Sequence, residues 1–129
     1  MKAERLPEGQ RNVFGDPIES CCVDPMTGYF RDGSCRTGPH DIGTHTVCAQ
    51  MTSEFLEYSR AAGNDLITPR PEFQFPGLKE GDRWCLCAMR WEQAHAAGKA
   101  PGVYLKATNI VTLQLIPLSV LKPYAVDLV

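Results

Sequence analysis

Six cysteines, Cys21, Cys22, Cys35, Cys48, Cys85 and Cys87, and three histidines are the residues of this 129-residue chain whose types invite chemistry. Zinc takes four thiolate or imidazole ligands, and pairs spaced by a few residues preorganise its first two bonds. His45 with Cys48 and Cys85 with Cys87 form two such pairs, with Cys35 and Asp41 close in sequence as alternates. Neither pair has the familiar spacing of two intervening residues. Side chains at i and i+2 lie on one face of a strand but about 200° apart around a helix. An extended segment at 84–87 thus lets both thiols meet one zinc or other transition-metal ion; a helical one does not.

The same residues support thiol chemistry. Cys48 lies four residues before a helix cap at Thr52, where a helix N-terminus favours thiolate, and His45 upstream has the chemistry of its general base. Against this stands the reading of HTVCA as a strand entering the core, with Val47 and Ala49 facing opposite to Cys48. Cys85 and Cys87 as a redox dithiol would close a tighter, more strained ring than the usual redox motif. Cys21 and Cys22 diverge as neighbours in an extended segment. Six cysteines would also suit three disulfides in a secreted scaffold, but with nothing read as an export signal the expected compartment is the cytoplasm, where thiols stay reduced. Cysteine also packs cores as a small hydrophobe.

Asp32, Asp41, Asp65 and Asp82 sit beside Gly or Asn in loops, as Asx turns or helix caps do, with Asp82 placed to cap a segment starting at Arg83. Arg31 and Arg83 either bind an anionic ligand or tie loops to carbonyls and a neighbouring Asp. Asp82, Arg31 and Arg83 are therefore pocket candidates beside the Cys/His set. His40 reads as solvent-facing, and His95 as favouring the negative end of a helix. Trp84 and Trp91 read as core. No nucleotide-binding, nucleophile-elbow or zinc-protease motif occurs.

The elements that must hold these groups are short. Residues 12–47 are dense in turn formers, and residues 1–11 read as a loosely held tail preceding a single domain over 12–129. A helix over 53–62 is signalled by the Thr52 cap, a Met51–Leu56 staple and a stop at Gly63-Asn64. Residues 64–82, with three prolines, must wrap over the surface, pinned by Phe73, Phe75 and Leu78. A second helix fits 88–97. Alternating residues over 103–108 and 111–115 predict two paired strands, and 118–125 a short helical piece. The fold class is α+β: one compact domain with a small, mainly antiparallel sheet, two main helices and long Gly/Pro-rich loops.

Composition narrows the partners. At 43% hydrophobic and 22% charged, with 13 Lys+Arg against 15 Asp+Glu, the chain is an ordinary globular domain able to bury one core. Without a basic cluster it offers little to a phosphate backbone, so no nucleic-acid partner is expected. No apolar run approaches the roughly 20 residues that span a bilayer, so no membrane partner is expected either.

Five segments, NVFGDPIESC at 12–21, DPMTGYFRDGSC at 24–35, HTVCAQMTSEFL at 45–56, GNDLITPRPEFQFPGL at 63–78 and GDRWCLCAMRW at 81–91, resemble the bacterial family catalogued as domain of unknown function 2237. The resemblance covers nearly the whole chain and implies a single small domain. It carries over no catalytic residue, because that family has no assigned activity. Cys21, Cys35, Cys48, Cys85, Cys87 and His45 fall within its pattern; Cys22 falls outside. The expected function is a Cys/His-lined pocket, formed by loops 31–48 and residues 82–87, for metal binding or thiol-dependent chemistry centred on His45 and Cys48. The alternative is a non-catalytic ligand-binding or protein-interaction module whose cysteines only pack.

Overall fold

The computed structural model describes residues 10–128. Its centre is an antiparallel ladder between β1 (His45–Gln50) and β2 (Arg83–Cys87), with Cys48 opposite Cys85 and Ala49 opposite Trp84. The period of two sorts the residues onto two faces. Val47, Ala49, Trp84 and Leu86 enter the main core with Phe55, Leu56 and Trp91, while Cys48 and Cys85 enter a second cluster with Cys21, Cys35 and Ala107. The expected α+β class with a small antiparallel sheet is what forms.

Helix α1 (Ser53–Ala61) starts where its signals lie: the Thr52 hydroxyl accepts from the Phe55 N–H at 3.0 Å, and Met51 and Leu56 are both buried beside the cap. It ends as Gly63 turns left-handed. Helix α2 (Ala88–Ala96) follows β2 without a loop, and Cys87 in the cap position supplies no side-chain bond. Instead the Ala88 N–H donates to the Thr44 carbonyl at 3.0 Å, so the residue before β1 caps the helix after β2. Thr44 holds a left-handed φ of 51°, a conformation that β-branched residues rarely adopt.

The two strands expected over 103–108 and 111–115 do not form. Only β3 (Gly102–Val103) pairs, antiparallel to the other edge of β1, and 3-10 turns occupy Leu105–Ala107 and Ile110–Gln114. Side chains meet the donors that a partner strand would have met: Asp127 accepts from the Leu105 and Lys106 N–H groups, both at 2.9 Å, and buried Asn109 accepts from Val111 at 3.0 Å. The helical piece after Pro117 is present as α3 (Leu118–Leu121), followed by a 3-10 turn at Lys122–Tyr124. In the wrapping segment Phe75 and Leu78 are buried as expected, but Phe73 is 63% exposed. Of the expected tail, residues 1–9 lie outside the described residues. Gln10 is buried, with its amide bonded to the Thr37 carbonyl at 3.0 Å.

Cys48 and Cys85 face each other as a pair that exchanges no ladder bonds, leaving both N–H groups to outside acceptors. Two fully buried hydroxyls take them: Thr27 from Cys85 at 2.8 Å and Thr108 from Cys48 at 3.1 Å. Thr27→Val keeps the volume but orphans the Cys85 N–H. It should cost about 1–3 kcal/mol in denaturant unfolding, whereas Thr68→Val on the exposed loop should cost well under about 1 kcal/mol.

Candidate functional site

His45 opens β1 at a bulge, with the ladder register slipping between His45 and Val47 so that His45 lies opposite Cys87. The turn before it folds Asp41 back beneath the strand. The Asp41 carboxylate is fully buried and receives three donors: the Thr37 hydroxyl and the His45 N–H, each at 2.9 Å, and His45 Nδ1 at 2.6 Å. A carboxylate only accepts, so Nδ1 donates in this bond and Nε2 is the ring nitrogen turned away from Asp41. The ring rests on Gly43, where an added Cβ would meet Cε1 at 2.6 Å. Tyr29 lies nearly parallel to it, with ring centroids 6.4 Å apart.

His45 borders two adjoining cavities. The larger, about 430 Å³, has aromatic walls from Tyr29, Phe73, Phe75 and Trp84 and two guanidinium groups, Arg31 and Arg70. Arg31 lies 5.2 Å over the Trp84 ring and donates to the Gly28 carbonyl at 2.9 Å from a left-handed backbone (φ 54°), a strained conformation of the kind that collects at binding sites. Arg70 lies over Phe73 and pairs with Glu72 at 2.9 Å. The smaller cavity, about 200 Å³, is lined by His45, Trp84, Leu86, Cys87 and Arg90. Trp84 and His45 border both.

The cysteines divide differently from the expected pairs. Cys21 is bonded to Cys48 and Cys35 to Cys85, which overturns the expectation that all the thiols stay reduced; Cys22 and Cys87 are free. The Sγ atoms of Cys21, Cys35 and Cys85 lie within 4.8 Å of one another, so the two disulfides pack side by side. Segment 84–87 is extended, as the shared-ligand reading requires, yet Cys48 and Cys85 are both bonded to other sulfurs, so Cys85, although it lines the larger cavity with His45, brings no thiolate to it. Cys35, an alternate ligand, is in the same cluster, and Asp41 serves His45 directly. Asp82 does not cap a helix: its carboxylate accepts from the Lys79 N–H at 3.0 Å within a turn, because the segment at Arg83 is a strand. Arg83 lies 3.9 Å over the Tyr104 ring, away from the cavities. Among the pocket candidates, Arg31 alone lines the larger cavity.

Sequence reasoning missed Tyr29, Gly43, Arg70 and the aromatic wall. Trp84 is both core and wall, being 7% exposed, which reading it as core alone did not anticipate. A glycine two residues before a histidine was the visible signal for Gly43: the ring needs the space a Cβ would take.

Gly43→Ala should displace the His45 ring and break the Nδ1 bond to Asp41, seen as a changed 15N shift of His45 Nδ1 in a chain whose amide spectrum is otherwise retained. At the cavity rim, the Asp65 carboxyl is held below its ordinary value of 3.8, first by the Thr68 hydroxyl and then by the Ile67 and Thr68 N–H groups. A depressed folded value means stability present above the ordinary carboxylate range and lost as pH falls through the folded value. NMR titration of Asp65 should therefore show the 65–68 loop intact until pH drops below about 4, and Thr68→Val should move that titration upward.

The match to known families agrees with the geometry in scale, covering the fold from the first anchored residues to the last turn. No curated protein matches the sequence. The family model described as an uncharacterized protein conserved in bacteria (DUF2237) matches residues 11–125, and the chain belongs to that family.

Proposed function

We propose that the larger cavity binds a small molecule with an anionic group on a planar, apolar body, and that His45 exchanges a proton with it. The Asp41–His45 pair carries this reading. A buried carboxylate that fixes one imidazole nitrogen leaves the other aimed for acid–base work, the arrangement used where a histidine must hold one tautomer. The aromatic walls suit a flat ligand, and Arg31 suits a carboxylate or phosphate through two parallel bonds.

The register favours a second reading, the thiol-dependent chemistry expected from sequence, with Cys87 in the place of Cys48. Cys87 is free, half-buried, opposite His45 in the ladder and on the same small cavity. Of the four metal ligands expected from sequence, His45 and Cys87 are the two that remain uncommitted, and two ligands do not make a closed zinc site. With four cysteines structural, the non-catalytic module is the same cavity without proton transfer.

Two probes test these readings. Benzoate and phenyl phosphate, titrated into labelled protein, should shift the Arg31, His45 and Trp84 resonances together, and Arg31→Ala should weaken binding about tenfold or more. Shifts absent from those residues, or unaffected by the substitution, would refute the anion reading. Iodoacetamide should alkylate Cys87 in native protein, and His45→Ala should slow this about tenfold while leaving Cys22 unchanged as an internal standard. Equal slowing of both cysteines, or none, would reject His45 as the base for Cys87.

A further inference from the structure

We propose that Cys21, Cys35, Cys48 and Cys85 form a tetrathiolate zinc site when both disulfides are reduced, so that the same buried cluster closes the fold in either redox state.

A tetrahedral ion with zinc–sulfur bonds of about 2.3 Å needs its sulfurs about 3.8 Å apart. Three of the sulfurs already lie within 4.8 Å of one another, and the fourth, Cys48, is bonded to one of them, Cys21. Tetrahedral spacing thus asks each bonded pair to part and the unbonded pairs among Cys21, Cys35 and Cys85 to close by up to roughly 1 Å, while Cys48, outside that group, swings in from its bond to Cys21. Those are side-chain movements, not a rearrangement of the fold.

The mountings suit them. Cys48 and Cys85 stand opposite each other on β1 and β2, which fixes one edge of the tetrahedron, while Cys21 and Cys35 sit on loops that can adjust. Those loops stay tethered without the disulfides: the Cys21 N–H donates to the Gly33 carbonyl at 2.7 Å, and the Cys35 carbonyl accepts from the Asn109 amide at 3.2 Å. All four residues are at most 2% exposed, so there is no open coordination position for water. That is the arrangement of a structural zinc site, not a catalytic one.

The chemistry balances with a dithiol reductant. Two dithiols each pass two electrons and two protons to one disulfide, becoming disulfides themselves and leaving four thiols. Zinc binding then forms four zinc–sulfur bonds and releases four protons to solvent. A reducing compartment contains such dithiols, and the zinc form is the one the proposal assigns to those conditions.

The full chain, reduced under argon and given zinc, should retain one zinc per chain by elemental analysis after gel filtration. Cobalt in place of zinc should give the visible bands of a tetrahedral four-thiolate ion. The Cys22→Ser/Cys87→Ser double variant should bind the same amount, Cys35→Ser should lose the four-sulfur spectrum, and oxidised protein should bind none. Reduced protein that stays metal-free, whether folded or unfolded by circular dichroism, would overturn the proposal, since zinc binding would have driven the fold. So would zinc retained unchanged by Cys35→Ser, or lost with Cys22 and Cys87.

Discussion

The pairing of β1 with β2 is the constraint on which the two halves of the molecule depend. Because side chains alternate across a ladder, one register sends Val47, Ala49, Trp84 and Leu86 into the hydrocarbon core and Cys48 and Cys85 into the sulfur cluster beneath the loop-rich half. A slip by one residue would exchange the two sets, putting sulfur into the main core and stranding the loop cysteines without partners. The same register places His45 opposite Cys87, so the candidate site lies at the end of the strand pair that organises everything else. Thr44 adds a second tie, because its carbonyl completes the first turn of α2 while its own neighbour begins β1.

Around that end the protein holds positive groups against aromatic faces. Arg31 lies over Trp84 and Arg70 over Phe73, each resting its face on a ring while one edge nitrogen bonds Gly28 or Glu72 and the other N–H groups are left for a ligand. Asp41 does the opposite for His45. Its carboxylate is wholly removed from solvent, yet all its side-chain bonding partners are local, within the nine residues from Thr37 to His45 at the start of β1. The site is thus rigid where the imidazole is aimed and open where a ligand would enter.

The parts of this arrangement that sequence made legible are those written in short-range signals. Thr52, Met51, Leu56 and Gly63 specify α1 within thirteen residues, and the opposite facing of Val47 and Cys48 follows from alternation alone, whereas 84–87 reads in sequence either as a strand or as a helical turn and only the ladder with β1 decides it. The C-terminal segment misled for a related reason. Its alternation is real, but β1 has only two edges, and past Val103 the donors meet Asp127 and Asn109, which pattern counting does not weigh. Asp41 and His45 were both singled out, as spare and primary metal ligands, because their i, i+4 spacing carries no sign of the turn that brings carboxylate and ring together. Sulfur pairing was least legible: six cysteines allow 15 complete connectivities, and partners 27 and 50 residues apart leave no local mark.

The two disulfides interlace, since Cys35 lies inside the loop closed by Cys21 and Cys48 while its partner Cys85 lies outside it. A single backbone cut anywhere between Cys21 and Cys85 therefore leaves fragments joined by at least one covalent bridge, and a cut between Cys35 and Cys48 leaves them joined by two. The long Gly- and Pro-rich loops, which would ordinarily be the chain's weak points toward a protease, can be nicked without release of either piece. Oxidised, this protein can lose its continuity as a polypeptide and still remain one molecule.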